Sequence, residues 1–305
     1  MDANPIISPT GENFAEGGRP SKTAELIAMM RFRESRRPED ERICYDPYAV
    51  RFISPEVLDF IVREPEKYKA LSEKVERSQP GHTNSIIARV RFIDDMVASS
   101  VRDGVRQVVI LGAGYDTRAY RIEGVAQVRI FEVDHPNTQR LKKEKIREIF
   151  GSLPGHVTYV PLDLAVHNLG EQLRAAGYDP SVRSLFVMEG ILVYLPPEAV
   201  DELLTFVANN SCRGSAIVFD YIPQSVVDGT CKLEAGKNMA KNVAAVGEPF
   251  RFGLKEGTLE EYLSKRGFIK IRNVTSEDYR RMYFHGKNAD RLLNPLLFFA
   301  YAEAQ

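Results

Sequence analysis

After Gly104 the chain settles into a rhythm that limits its fold more than any other feature. Five short apolar runs rich in β-branched residues, "RQVVIL", "VRIFEV", "VTYVPL", "SLFVME" and "SAIVFDY", alternate with stretches of helical spacing. Strands buried on both faces read as continuous apolar runs, and parallel neighbours need a long crossover between them. The alternation therefore predicts an α/β fold, a parallel sheet covered by helices on both faces. Two later runs, "GFIKIRNV" and "PLLFFAYAEA", follow with a short polar segment between them. Paired as an antiparallel edge, they would bring the sheet to seven strands.

The region before Gly104 reads differently. Residues 1–20 are rich in Gly, Pro, Ser and Asn and show no periodicity, which predicts a loose tail. Helical spacing begins with Leu26, Ile27, Met30 and Phe32, is interrupted by the prolines and charges of "RRPEDERICYDPYA", and resumes over Val57 to Val62 and Ser85 to Val101. Residues 21–104 are thus expected to form a helical cap, 105–220 the core of the sheet and 268–305 a final strand pair. Between them, 221–267 holds the helix-like "KLEAGKNMAKNVAAV", long enough to serve as a lid. The whole of 21–305 is read as one domain.

Charge and cysteine usage exclude several functions. Forty-one basic residues against 42 acidic ones leave no positive excess to hold a phosphate backbone or an anionic membrane. Three cysteines far apart, with no CxxC pair and no ligand spacing around the five histidines, predict reduced packing residues and no metal. No apolar segment approaches the ~18 residues of a membrane span, and the start of the chain lacks an export signal. The expectation is a cytoplasmic protein, monomer or homodimer, with neither nucleic acid nor membrane as partner.

In an open parallel sheet, ligands bind beyond the carboxyl ends of the strands, where the first strand turns into its helix. Here that turn is "VVILGAGYDTRAYR", with Gly112 and Gly114 at the bend. A tight turn would want glycine whatever its function. A dinucleotide site would want GxGxxG, yet the third position is Thr117 and Asp116 stands at the helix entrance, where a carboxylate caps the helix and repels phosphate. The bare backbone suits the amino-acid end of S-adenosylmethionine, a nucleoside without phosphates. The next strand ends in "FEVDHP", which offers Glu132 or, just past the strand end, Asp134 to the ribose hydroxyls. In "PLDLAVH", Asp163 and the backbone of Leu164 are placed to meet an adenine, though a turn aspartate is a competing reading.

Six segments, "YDPYA", "ARVRFIDD", "QVVILGAGYDTRAYR", "FEVDHP", "YVPLDL" and "MEGILVYL", stand in the order found in the leucine carboxyl methyltransferase family, which the chain resembles from about residue 21 to 221. The resemblance implies a Rossmann-like class I methyltransferase fold and S-adenosylmethionine as cofactor. It implies an oxygen acceptor on a small molecule or a peptide C-terminal carboxylate. It also implies that Arg89 grips the cofactor carboxylate, with Gly112 beside the methionine portion, Asp134 on ribose, and Asp163 with Leu164 on adenine. Glu189 would lie near the cofactor amino group and Tyr194 would face the acceptor. Where some members carry a lysine in the first helix, this chain offers Arg31, with Lys22 further off.

Methyl transfer from a sulfonium already has a good leaving group, so alignment and exclusion of water matter most. A carboxylate acceptor needs no base; a hydroxyl does. Tyr194, Tyr221 and His135 are the candidate bases, although His135 precedes a proline and suits a helix start. A nicotinamide-dependent dehydrogenase and a cofactor-binding protein without turnover are the rival readings, the first disfavoured by Asp116 and Thr117.

Overall fold

A computed structural model describes residues 21–163, 168–245 and 249–305. The expected tail over 1–20 lies outside the described residues. Ser21 starts α1 (Lys22–Ser35) by accepting the Ala24 backbone N–H at 3.1 Å. The face α1 buries is partly ionic, with Arg31 and Glu34 beside Ala28 and Met30, which explains its weak apolar periodicity. Prolines open α2 (Pro55–Arg63) and α3 (Pro65–Ser78), where a missing N–H costs nothing. α3 carries a short apolar stripe of Tyr68, Leu71 and Val75, yet none of its residues is buried. The long α4 (His82–Arg102) lays Ile86, Val90, Ile93 and Val97 against the sheet.

The central strand β1 (Gln107–Leu111) is buried throughout. After it come a single turn of helix, α5 (Arg118–Arg121), then β2 (Arg129–Asp134), α6 (Pro136–Phe150), β3 (Val157–Pro161) and α7 (Leu169–Ala175). The second half continues with β4 (Ser184–Met188), α8 (Pro197–Asn209), β5 (Ala216–Tyr221), α9 (Gln224–Val227), α10 (Glu234–Ala245), α11 (Leu259–Ser264), β6 (Phe268–Val274), α12 (Ser276–Tyr283) and β7 (Phe298–Ala304). The seven strands lie in the order β3-β2-β1-β4-β5-β7-β6, with β1 to β5 parallel. Chain direction away from β1 reverses between β2 and β4, which opens a crevice at the carboxyl end of β1. One apolar core lies between the sheet and α4, another lies under α7, α8 and α11, and a smaller third joins Ala28, Phe52, Tyr115 and Ile146.

The last two runs do pair antiparallel at one edge of a seven-stranded sheet; the strand that runs against the others is β7, which sits between β5 and the outermost strand β6. Its composition suits an interior place, since Phe299, Ala300 and Ala302 are completely buried, whereas β6 carries Lys270, Arg272 and Asn273 as an edge strand should. The segment joining the pair is longer than a polar turn. It contains α12, which packs Tyr279 and Tyr283 into the core. In the region expected to form the lid, α9 and α10 are additional, but α11 is an ordinary crossover helix that buries Leu259 and Leu263 under the sheet. No helix of the described residues is long and apolar enough to cross a membrane.

Candidate active site

The crevice is built around the bend after β1. Gly112 has φ 64°, a conformation that favours glycine, and a Cβ there would displace the end of the Ile191 side chain, whose Cδ1 lies 2.5 Å away. Gly114 lies against Ala24 at the start of α1, the helix that begins with Lys22. Carboxylates stand where the neighbouring strands end. Asp134, at the end of β2, accepts from the backbone N–H groups of Gly114 and His135, the latter at 2.6 Å. Burial pushes its pKa up, against those two hydrogen bonds. Asp163 is half-buried just past β3, and Leu164 lies outside the described residues.

Glu189 follows β4, and Asp220 comes one residue before the end of β5. Arg89 reaches both from α4: its Nε donates to Glu189 Oε1 at 3.1 Å and its Nη1 to Asp220 Oδ2 at 2.8 Å. Asp220 also accepts the Gly190 N–H at 2.5 Å, which ties the turn after β4 to β5. Burial raises the pKa of Asp220 against Arg89, whereas Glu189 is held below the usual range because Arg118 and Arg89 outweigh its burial.

Beneath these groups lies an ionic layer not anticipated from the sequence. Arg118, 1 % exposed, donates to Asp94 at 2.7 Å, to Asp116 at 2.5 Å and to Glu189 at 2.5 Å. Arg121 makes two 2.7 Å bonds to Asp94. Asp46 accepts from Thr117 Oγ1 at 2.7 Å and lies 3.4 Å from Arg31. Four of the quoted segments, "YDPYA", "ARVRFIDD", "GAGYDTRAYR" and "MEGILVYL", therefore meet in one buried network. Thr117 holds the N-cap position of α5, and Asp116 just before it accepts the Arg118 N–H at 2.6 Å. The helix is only one turn long, however, and the carboxylate is neutralised by Arg118, so it exerts little repulsion of its own.

The other candidates separate cleanly. Arg31 donates to the Tyr115 carbonyl at 2.5 Å and belongs to the ionic layer under the bend. Glu132 is buried below the crevice, 2.8 Å from Lys142, with Tyr120 donating to it at 3.1 Å; burial raises its pKa to about 6 despite Lys142. That leaves Asp134 as the carboxylate at the strand end. His135 accepts the Asn137 N–H at 3.3 Å as the cap of α6. The Tyr194 ring lies 5.8 Å from that of Phe250 in the region expected to form the lid. Tyr221 is not brought to the cluster. It points to the opposite face of β5 from Asp220, stacks on Phe298 and donates to Asn273 at 2.9 Å. No group of side chains with metal-holding geometry occurs among the described residues.

Comparison with known proteins agrees with this geometry. The leucine carboxyl methyltransferase family profile matches residues 24–208. The chain belongs to that family. Among its relatives is a Mycobacterium avium protein provisionally named an S-adenosyl-L-methionine-dependent methyltransferase, 33% identical over 271 residues, 86% of this chain and 88% of the relative. A Bacillus subtilis protein with the same provisional name is 26% identical over 239 residues, 78% and 77% of the two chains. The fold is shared with a DUF574 family protein from Streptomyces avermitilis, with a TM-score of 0.57, 15% identity and 91% and 97% coverage. A Thermobifida fusca structure provisionally named a methyltransferase gives 0.56, 18%, 78% and 88%. As a leucine carboxyl methyltransferase family member, the chain is an S-adenosylmethionine-dependent methyltransferase, which sets the dehydrogenase reading aside.

Proposed function

We propose that this methyltransferase acts on an oxygen, the hydroxyl or carboxylate of a small molecule or of a peptide C-terminus. Membership of a carboxyl methyltransferase family supports the oxygen acceptor, and the observation that supports the cofactor's place is the row of carboxylates along the sheet edge, Asp134, Glu189 and Asp220, beside the bend at Gly112. A ligand with a net positive charge and two sugar hydroxyls fits such a donor set. When bound, S-adenosylmethionine supplies a methyl group on a sulfonium, an electrophile with its own leaving group.

The residues divide the work accordingly. Arg89 and Glu189 would hold the carboxylate and amino groups of the methionine end, the backbone at Gly112 and Gly114 would pass alongside it, and Asp134 would accept from the ribose hydroxyls. Asp163, with Leu164, would meet the adenine. Tyr194 and Phe250 line the acceptor side, where apolar surface excludes water and aligns the attacking oxygen.

Two measurements test the proposal. Thermal shift with S-adenosylhomocysteine and with NAD should show stabilisation by the first alone. A tritiated-methyl screen over phenols, carboxylic acids and C-terminal peptides should then yield an oxygen-methylated product. Label found only on nitrogen, carbon or sulfur acceptors refutes the oxygen assignment, and cofactor binding without transfer to any acceptor supports a binding protein instead.

A further inference from the structure

The two carboxylates that hold Arg89 are not equivalent. Asp220 lies on β5, parallel to β4 and so beside the turn that carries Glu189 and Gly190. Its oxygens have separate tasks: Oδ1 accepts the Gly190 N–H at 2.5 Å, and Oδ2 accepts from Arg89 Nη1 at 2.8 Å. The Asp220 side chain is 2 % exposed against 14 % for Glu189. Asp220 therefore stands behind the crevice, and Glu189 at its surface.

A guanidinium carries five N–H donors in one fixed plane. Arg89, itself buried, commits Nε to Glu189 Oε1 at 3.1 Å and Nη1 to Asp220, whereas Nη2 donates to nothing among the described residues. Buried donors are ordinarily matched, so an uncommitted pair of N–H groups calls for an explanation. Glu189 is likewise fixed from behind, with Oε2 held by Arg118 Nη1 at 2.5 Å. Gly190 keeps the space beside the guanidinium. It has φ 63°, and a Cβ there would come 3.2 Å from Arg89 Nη1 and 3.4 Å from Nη2. The turn that Asp220 ties down is thus the one that leaves Arg89 room.

We infer that Asp220 is a positioning residue for the amino-acid end of the cofactor: it holds Arg89 by Nη1 so that Nη2 is presented to the ligand carboxylate, and it holds the Gly190 turn so that the guanidinium stays uncovered. This deepens the cofactor reading above, in which Arg89 and Glu189 receive the carboxylate and amino groups, and rests on it. Without Asp220, Glu189 is the one carboxylate still bonded to Arg89 among the described residues. A guanidinium facing a single carboxylate closes on it with two parallel N–H···O bonds. That pairing would consume the donors the ligand carboxylate needs and occupy Glu189 Oε1 as well. Asp220 prevents it by drawing Nη1 in another direction. The nucleoside end is served by other elements. Asp134 closes β2, three places from β5 in the sheet, and is bonded to Gly114 and His135. The influence of Asp220 is therefore confined to the methionine portion.

The test compares the full chain with its Asp220→Asn variant by calorimetric titration of two ligands, S-adenosylhomocysteine and 5′-methylthioadenosine, which has the nucleoside and sulfur without the amino acid. Asparagine keeps the size, but its single oxygen serves Gly190 or Arg89 and its nitrogen accepts from neither. The variant should bind S-adenosylhomocysteine about tenfold or more weakly, the worth of a charged hydrogen bond, while 5′-methylthioadenosine stays within about twofold. Unchanged affinity for S-adenosylhomocysteine, or an equal loss for both ligands, would overturn the inference, the second by reducing Asp220 to general support of the fold. Should the variant not fold, a crystal structure of the wild type with S-adenosylhomocysteine decides: Nη1 should remain on Asp220 with the ligand carboxylate on Nη2, and a carboxylate that does not meet Arg89, or an Arg89 that has left Asp220, would refute it. A wild type that binds neither ligand would strike the cofactor reading and this inference with it, a result distinct from the others because those leave wild-type binding intact.

Discussion

Replacing Arg118 by methionine probes the buried ionic layer most directly. The new side chain replaces the apolar stem but ends short of the guanidinium, and it cannot donate to Asp94, Asp116 or Glu189. The loss is smaller than three ion pairs, because Arg121 still holds Asp94 and Arg89 still holds Glu189. Asp116 is the carboxylate left without its direct ionic partner. Breaking one buried pair costs about 3–5 kcal/mol. A chain of 305 residues unfolds with an entropy of about 0.6 kcal/mol/K, so the midpoint should fall by about 5–8 °C. Lysine at 118 keeps the charge without the fork and should lose less.

The same variant has a signed pH dependence. Burial favours the neutral form of Asp116, yet Arg118 and weaker neighbours outweigh it and hold the pKa at about 2. In wild type that depressed pKa contributes stability above the unfolded value near 4, and the contribution is lost as pH falls toward 2. Without Arg118 the stranded carboxylate is costly only while ionised. The deficit of Arg118→Met should therefore be largest near neutral pH and shrink on acidification toward pH 4. Calorimetry at a series of pH values measures both effects. A midpoint within about 1 °C of wild type at neutral pH, or a deficit that grows with acid, refutes the reasoning.

Three further outcomes are expected. Asp134→Asn should weaken S-adenosylhomocysteine binding by about 1–3 kcal/mol in isothermal titration, and unchanged affinity would remove its ribose role. Tyr221→Phe loses the hydrogen bond to Asn273, about 1 kcal/mol of stability, without altering methyl transfer; a drop in transfer beyond about tenfold would return Tyr221 to the chemistry. His82 has a folded pKa of about 4 against 6.5 unfolded, so acid favours the unfolded chain from pH 6.5 downward, by up to about 3 kcal/mol. His82→Gln should remove that part of the acid sensitivity in a urea-unfolding series, and an identical pH profile in the two proteins would contradict it.

What the sequence reveals depends on whether the relevant physics is local. The five parallel strands are legible because burial makes each run predominantly apolar, most completely in β1, β4 and β5, where every residue is buried. α3 is harder to read, because its stripe is only Tyr68, Leu71 and Val75 among charged residues and none of them is buried. The position of β7 inside the sheet is settled by long-range packing of Phe299 and Ala300, which a linear pattern does not record. Asp134 and Glu189 stand out as charges closing apolar runs. Asp220 carries the same signal in "SAIVFDY", but the adjacent tyrosine draws attention to the wrong face of the strand. Arg118 and Arg121 offer no local sign at all. An arginine after a turn reads as solvated, and burial becomes affordable only with Asp94 and Glu189, brought from other elements.

The discrimination against phosphate is likewise a property of the whole edge rather than of Asp116 at the bend. Asp116 is spent on Arg118. Around the crevice, Arg31, Arg89, Arg118 and Arg121 face Asp46, Asp94, Asp116, Asp134, Glu189 and Asp220, so carboxylates outnumber the arginines among these described residues. Burial raises the pKa of both Asp134 and Asp220, which is the condition of acids awaiting a cation. A unit charge about 4 Å away is worth about 4 kcal/mol at an effective dielectric of 20, so a pyrophosphate is opposed where a sulfonium is welcomed. Cofactor binding should then release protons, and lowering the pH from 7 toward the carboxylate range near 4 should weaken it. The sulfonium of S-adenosylmethionine feels this loss, whereas the neutral sulfur of S-adenosylhomocysteine does not. Calorimetric affinities for the pair across that range should diverge, with S-adenosylmethionine falling faster; a parallel decline, or a steeper one for S-adenosylhomocysteine, would show that the carboxylate excess does not select the charge on sulfur.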